Sequence, residues 1–367
     1  MTDTKSTGRL IPIGCDDGHF AIKLCAGRDK YFTVASRIVP RRELVADDNG
    51  NTNDDLCFET SENEFYTVTA YDGVVSNEID TRDDDFALSS ANRALVYHSL
   101  NRAVQEGLIR KGDEITMISG LPVNRFYNSE GKPNTDFIDK KANSFMLPIL
   151  NRGGAYLPTV AKHSVISEAV ASYFDALYDF EGNEDEDFKL DSDDAPIAVV
   201  DVGGKTLDVA VVREGGSGLY FTKSGTSDAG VLYFYNALNA TLTKHFQEMF
   251  PDAQLDLFSN KSLDSIIRTG RARRYGTHDV SDIVSRELDE FASRVRSFIA
   301  PKIGDGANFG RILFVGGGAN LLHDRLHMVF PNIPLSAITA TPPTDDLNTS
   351  STFSNARGMY KAAMFFG

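Results

Sequence analysis

The sequence predicts an α/β fold made of two similar domains that face each other across a cleft. Three observations predict it. Ile197 to Val212 reads as two apolar, β-branched strands around a turn that holds Asp201, Gly203, Gly204, Lys205 and Thr206. Ile13 to Leu24 repeats the order of strand, acid, glycine turn and strand, with Asp16-x-Gly18 matching Asp201-x-Gly203. Arg311 to Leu322 then runs strand, triple glycine and helix. A glycine turn can aim several backbone N–H groups at one point, because glycine has no Cβ and tolerates positive φ. Such a concavity suits a phosphate, and an acid at the strand end can hold a hydrated Mg²⁺ beside it. A single Gly-Gly hairpin would carry none of this. Two of them, far apart in one chain, imply a duplicated domain.

Composition sets the outer bounds. A chain of 367 residues is long enough for two domains and a sizeable core. A net charge of −15 argues against strong direct DNA binding, which needs a basic footprint. Cys15, Cys25 and Cys57 are odd in number and lack metal-site spacing, so they read as free thiols in a reducing cytoplasm. The seven histidines show no metal spacing either. Met1 to Arg9 has no apolar signal core, and no run is long enough to span a membrane. Gly204-Lys205-Thr206 looks like the end of a P-loop, but the first glycine of that motif would fall on Val199. A P-loop must also open a helix, whereas Leu207 to Val212 continues as a strand.

In chain order, residues 10 to 40 read as a meander of two or three strands, and Asp47 to Asp55 as a polar hairpin tip. More strand follows at Phe65 to Thr69. Ser89 or Ser90 caps a helix to about Gln105, with Ala94, Tyr97, Leu100 and Val104 on its apolar face and Gly107 ending it. Ile115 to Ser119 is a buried-type strand that breaks at Gly120, and Asn134 to Ser144 is helical. Lys162 to Val165 is a strand, after which Ser167 caps a helix to about Tyr178 with Glu168 in its first turn. Residue pattern alone makes Glu168 a dipole-friendly acid. Residues 181–194 carry eight acids and one lysine and read as a solvated connector at the domain boundary. A helix starts after Gly230 and ends before Pro251, and another runs from Val280 to Ala300. Between them the basic run Arg268 to Tyr275 reads as a solvated loop, with nucleotide or subunit contact as the sharper option. The last helix covers Asn355 to Phe366.

Two acid-glycine hairpins followed by a strand-GGG-helix turn resemble the actin, Hsp70 and sugar-kinase ATPase superfamily. The stretches Gly120 to Thr135, Asp139 to Asn143, Asp201 to Asp208, Val315 to Ala319 and Asn355 to Tyr360 are similar to the plasmid-segregation actins of the ParM (StbA) family. That resemblance implies an actin-like fold with two RNase H-like cores around a nucleotide cleft. Domain I would cover residues 1–180 and be completed by the C-terminal helix 353–367, and domain II would cover 195–350. Asp16 and Asp201 would hold the Mg²⁺. Asp17, Gly18, His19, Lys23, Gly203, Gly204, Lys205 and Thr206 would cradle the phosphates. Glu168 would orient the attacking water. Gly316, Gly317, Gly318 and Asn320 would line the adenosine pocket, with Gly230 opposite. The activity implied is ATP hydrolysis (with GTP as the alternative nucleotide), coupled to filament assembly and to plasmid DNA through a ParR-type adaptor. A small-molecule kinase or a non-hydrolysing scaffold on the same fold are the alternatives. The sequence departs from the family at His19-Phe20-Ala21, where small hydroxyl residues usually follow the first glycine. This removes hydroxyl donors from the γ-phosphate end.

Overall fold

The computed structural model describes residues 9–42, 45–46, 52–69, 77–81, 83 and 85–366. The chain opens with the meander β1 (Leu10–Asp17), β2 (Ala21–Cys25) and β3 (Tyr31–Ala35). After β4 (Ile38–Val39), a short ladder pairs β5 (Val45–Ala46) with β6 (Thr52–Asn53). Of the expected hairpin tip, residues 47–55, positions 47–51 lie outside the described residues, and Thr52–Asn53 form β6. The hairpin β7 (Cys57–Thr60) and β8 (Phe65–Val68) follows, then α1 (Ser90–Gln105), β9 (Glu114–Leu121), α2 (Val123–Phe126), α3 (Thr135–Ser144), β10 (Ile149–Asn151) and β11 (Thr159–Ser167). One five-stranded sheet runs β11-β9-β1-β2-β3, and a four-stranded sheet runs β10-β7-β8-β4. Ser89 caps α1 by accepting from Asn92 N at 3.1 Å. This helix is buried on nearly every side rather than on one face, because it touches both sheets.

The second half repeats the first sheet. After α4 (Glu168–Leu177), which closes the first half, it holds α5 (Glu186–Asp194), β12 (Ile197–Val202), β13 (Leu207–Val212), β14 (Gly225–Ser227), α6 (Val231–Met249), α7 (Asn260–Thr269), β15 (Arg271–Arg273), β16 (Thr277–Asp279) and α8 (Ser281–Ile303). Next come β17 (Arg311–Val315), α9 (Gly317–Leu322), α10 (Leu326–Val329), β18 (Ile338–Thr339) and α11 (Ser354–Phe366). The sheet order β18-β17-β12-β13-β14 matches β11-β9-β1-β2-β3 strand for strand. In both sheets the central strand pairs antiparallel with its hairpin partner and parallel with the later strand. β12 is buried at all six positions because both of its faces are covered. Ala198, Val200 and Val202 enter one apolar cluster, while Ile197 and Val199 enter another with Ala169 and Tyr173 of α4.

The C-terminal helix returns to the first half. A Cβ on Gly14 of β1 would lie 2.0 Å from Ala356 O, and one on Gly358 would lie 1.7 Å from Ala171 O of α4. Glycine at both positions lets backbones touch. The same interface buries Asp175 against Arg357 and Lys361, with Nη2···Oδ2 at 2.7 Å and Nζ···Oδ1 at 2.8 Å. Arg357 also donates to the carbonyls of Leu347 and Ser350.

Two expectations are corrected. The acidic run is not an extended connector. Its second part is α5, capped by Asp185, which accepts from Phe188 N at 2.8 Å, and it turns Phe188 and Ser192 inward. Acids at its start suit the helix dipole, and the inward residues anchor it. The basic run is not a loop. It ends α7 at Gly270, which sits at φ 66°, and continues as the β15–β16 hairpin. Arg271 and Arg273 point outward while Ala272 is buried, which is the two-residue alternation of a half-covered strand. Cys15, Cys25 and Cys57 are buried, unbonded thiols. Among the described residues, no helix is long and apolar enough to cross a membrane.

Candidate functional site

Both acid-glycine hairpins, the start of α4 and the β17–α9 turn line a single cleft with a cavity volume of about 380 Å³. The first half contributes Asp16, Asp17, Gly18, His19, Lys23 and Glu168. The second contributes Asp201, Gly203, Gly204, Lys205, Thr206, Gly316 and Gly317. A volume at the low end of the ordinary ligand-site range, filled by convergent polar groups, is what a small charged ligand needs.

Acids crowd the floor. Asp16 and Asp201 are the strand-end acids of the two hairpins, and both are buried. Asp16 accepts from Lys23 Nζ at 2.7 Å, across the β1–β2 register that sets them opposite. Asp201 accepts from Asn355 Nδ2 of α11 at 2.7 Å through Oδ2, while Oδ1 faces the bare Cα of Gly316. Burial, and then Asp16, push the Asp201 carboxyl upward against the pull of Asn355. Glu168 is half-buried at the first turn of α4. Burial, followed by the negative charges of Asp16, Asp208 and Asp201, pushes its carboxyl well above the usual range. Asp208 sits behind the turn, where Thr226 Oγ1 and Val123 N donate to it. Burial still raises it to about 7. Among the described residues, no three His, Cys, Asp or Glu are placed to hold a metal ion by themselves. Mg²⁺ asks less of a protein, commonly one or two carboxylates with water and phosphate completing the shell. The pair of strand-end carboxylates Asp16 and Asp201, both lining the cleft, fits that donor set.

The hairpin glycines serve through size rather than backbone sign. Neither Gly18, Gly203 nor Gly204 has positive φ. A Cβ on Gly204 would instead stand 2.8 Å from the Cβ of Phe20 on the opposite hairpin. Positive φ is needed at Gly316, at 89°, where a Cβ would also strike Asp201 Oδ1 at 2.3 Å. Gly317 meets nothing within 4 Å, so a ligand can lie on its bare backbone. Gly120 clears space for Glu168, whose Cγ would be 2.6 Å from a Cβ there.

Several expected residues have other duties. Asp17 keeps its carboxylate with Lys141 Nζ at 2.9 Å and Asn92 Nδ2 at 2.6 Å. His19 binds Thr81 O through its ring, and burial lowers its pKa below the ordinary imidazole value. Gly230, Gly318 and Asn320 do not line the cleft. Gly230 lies beneath the second hairpin, its N donating to Lys205 O at 3.0 Å, and a Cβ there would meet Gly204 O at 2.6 Å. Gly318 packs on Val202, and Asn320 donates to Thr352 Oγ1 at 3.0 Å. Lys141, Asn355, Tyr235 and Asp264 line the cleft and were not foreseen as site residues. A buried lysine on an otherwise polar helix such as α3 carries no periodic signal. Lys141 becomes visible only through its partners Asp17 and Gly120 O.

Residues 11–179 match the family model described as plasmid segregation protein ParM, N-terminal. Residues 199–328 match the C-terminal model of archaeal MreB-like actin homologues. The chain is ParM-like in its first half and like archaeal actin homologues in its second. A 15-stranded ParM filament from Clostridium botulinum superposes with TM-score 0.69 at 17% identity, over 97% of the ParM-like chain and 99% of the other. The apo ParM of psk41 does so at 0.64 and 18%, covering 98% of each. An archaeal actin homologue in complex with ADP gives 0.69 at 16%, covering 97% and 99%. At these identities the likeness establishes the actin-like fold of the ParM-like chain. No curated protein matches it by sequence.

Proposed function

We propose that this protein binds ATP with Mg²⁺ in the cleft, assembles with its own copies into filaments, hydrolyses the nucleotide and moves plasmid DNA through a DNA-bound adaptor. The observation that carries the reading is the convergence of two anchored glycine hairpins, Glu168 and the open Gly317 backbone on one cavity. The phosphates would meet the backbone N–H groups of the two turns together with Lys205 and Thr206. The nucleoside would lie over Gly316 and Gly317. Asp201 and Asp16 would hold Mg²⁺ through water, and when bound the ion neutralises charge on the transferring phosphate. Glu168 acts on the attacking water. A carboxyl held above its usual range accepts a proton more readily than an ordinary one. Phosphoryl transfer to water asks mainly for positioning and charge stabilisation, so these few groups suffice.

The test is phosphate release and pelleting measured together. Phosphate should appear with ATP-Mg²⁺, and the protein should pellet with ATP or a slowly hydrolysed analogue. Asp201→Ala should lose both. An absence of phosphate release alongside transfer of the γ-phosphate to a sugar would replace the hydrolase reading with a kinase.

A further inference from the structure

The residue that departs from the family pattern, Phe20, stands between the two hairpins. It is 38% exposed. Its Cβ faces Gly204 so closely that a Cβ on that glycine would stand 2.8 Å from it, a spacing that only a glycine there permits. Its ring meets Tyr235 edge to face, with centroids 6.1 Å apart. Each side of this contact is anchored in its own half. On the first side, Ser36 N donates to Phe20 O at 3.0 Å and Thr81 Oγ1 donates to His19 O at 2.8 Å. On the second, Leu232 N donates to Gly204 O at 2.8 Å, and the Tyr235 hydroxyl donates to Asp264 of α7. The halves are joined elsewhere, where Ala169 and Tyr173 of α4 pack with Ile197 and Val199 of β12. A rotation about that joint would separate Phe20 from Gly204 and Tyr235.

Resting on the nucleotide reading above, we propose that Phe20 is a latch across the cleft mouth that sets how fast nucleotide leaves. The contact exists only when the hairpins are together. Breaking it is part of opening, so it appears in the release rate. Aromatic contacts of this kind correspond to roughly three- to tenfold in a rate. Substituting a partly exposed ring removes little buried area, so the fold is retained.

The experiment uses the full chain with Mg²⁺ and a fluorescent ATP analogue, chased with excess ATP. Phe20→Ala should release the analogue roughly three- to tenfold faster, and Phe20→Leu should fall between it and the wild type. Tyr235→Leu should also speed release, and the double variant should be no faster than the faster single variant, because both changes remove one contact. Fully additive effects overturn the latch. So does slower release from Phe20→Ala, which would make the ring a plug that competes with phosphate. Binding by the wild type with release unaltered in Phe20→Ala overturns the latch alone. No binding by the wild type overturns the nucleotide reading and the latch with it.

Discussion

Glu168 and Asp208 are both acids pushed upward by burial, yet the structure gives them different work. Glu168 faces the cavity, whereas Asp208 is hydrogen-bonded to Thr226 and Val123 behind it. If Glu168 positions water, Glu168→Ala should slow phosphate release by ~100-fold or more while ATP binding and assembly persist, because the role is exerted in the transition state. Unchanged release would return Glu168 to a helix-start acid. Asp208 makes a separate prediction about stability. Its folded value of about 7 lies above its ordinary 3.8, so the folded chain holds the proton that the unfolded chain has released. Stability from this group is therefore present below about pH 4 and lost as the pH rises through about 7. Thermal melts without nucleotide should fall over that window, and Asp208→Asn should flatten the fall. An equal slope in the variant would mean that Asp208 is ionised throughout. The two hairpins were legible because their order of strand, acid, glycine turn and strand is short and local, whereas Glu168 stood out only through the family resemblance. Asn355 and Lys141 were not, since each reaches the cleft from an element remote in sequence, α11 and α3. Gly230 and Gly318 read as ligand positions because a glycine needed for close packing looks the same in sequence as one needed for a ligand.

Among the elements, α11 shows why ends of chains can matter to a fold. It closes on β1 and α4 at backbone distance through Gly14 and Gly358, and it fixes that packing with Asp175, Arg357 and Lys361. Burial opposes charge on Asp175, but Arg357 and Lys361 outweigh it and hold the carboxyl below its usual range. Asp175→Ala would leave two buried cations without their carboxylate, which costs about 3–5 kcal/mol. For a chain of this size that is a fall in Tm of roughly 5 °C. The exposed pair Arg28–Glu181, at 2.8 Å, has similar geometry but stands in solvent. Its loss through Arg28→Ala should cost less than about 1 kcal/mol. Similar melting shifts in the two variants would show that the α4–α11 network is not what holds the helix down. The sequence showed α11 as a helix, with its start within a residue, yet not its partners. Periodicity reports which face is apolar and not which surface meets it. The same limit explains α1, whose four-residue apolar face was visible while its second buried side, lying under a second sheet, was not. α5 failed for another reason. Eight acids outvoted Phe188, although one buried ring and a capping Asp185 were enough to fold the run.

On the scale of the whole molecule, the proposed filament would couple to the ligand through the shared cleft, because anything that draws the two hairpins together also fixes the relative pose of the halves. A surface of fixed shape is what a repeating contact between copies requires. Charge opposes that contact. Each copy carries −15, so neighbours repel at long range. Raising salt from ~20 mM to ~150 mM shortens the screening length to about 8 Å and removes most of that repulsion between exposed groups. Pelleting in ATP-Mg²⁺ should therefore show a critical concentration that falls as salt rises over this range, and no pellet should form without nucleotide. DNA added without an adaptor should stay in the supernatant, since salt-dependent binding to phosphates needs cations that this surface has in deficit. A critical concentration that rises with salt would mean that complementary charge across the contact, rather than net repulsion, governs assembly. The exposed arginines of the β15–β16 hairpin would then be the first place to look for it. Protein that stays in solution at tens of micromolar with every nucleotide would overturn the filament reading itself, while leaving the cleft and its acids to be explained as a nucleotide site alone.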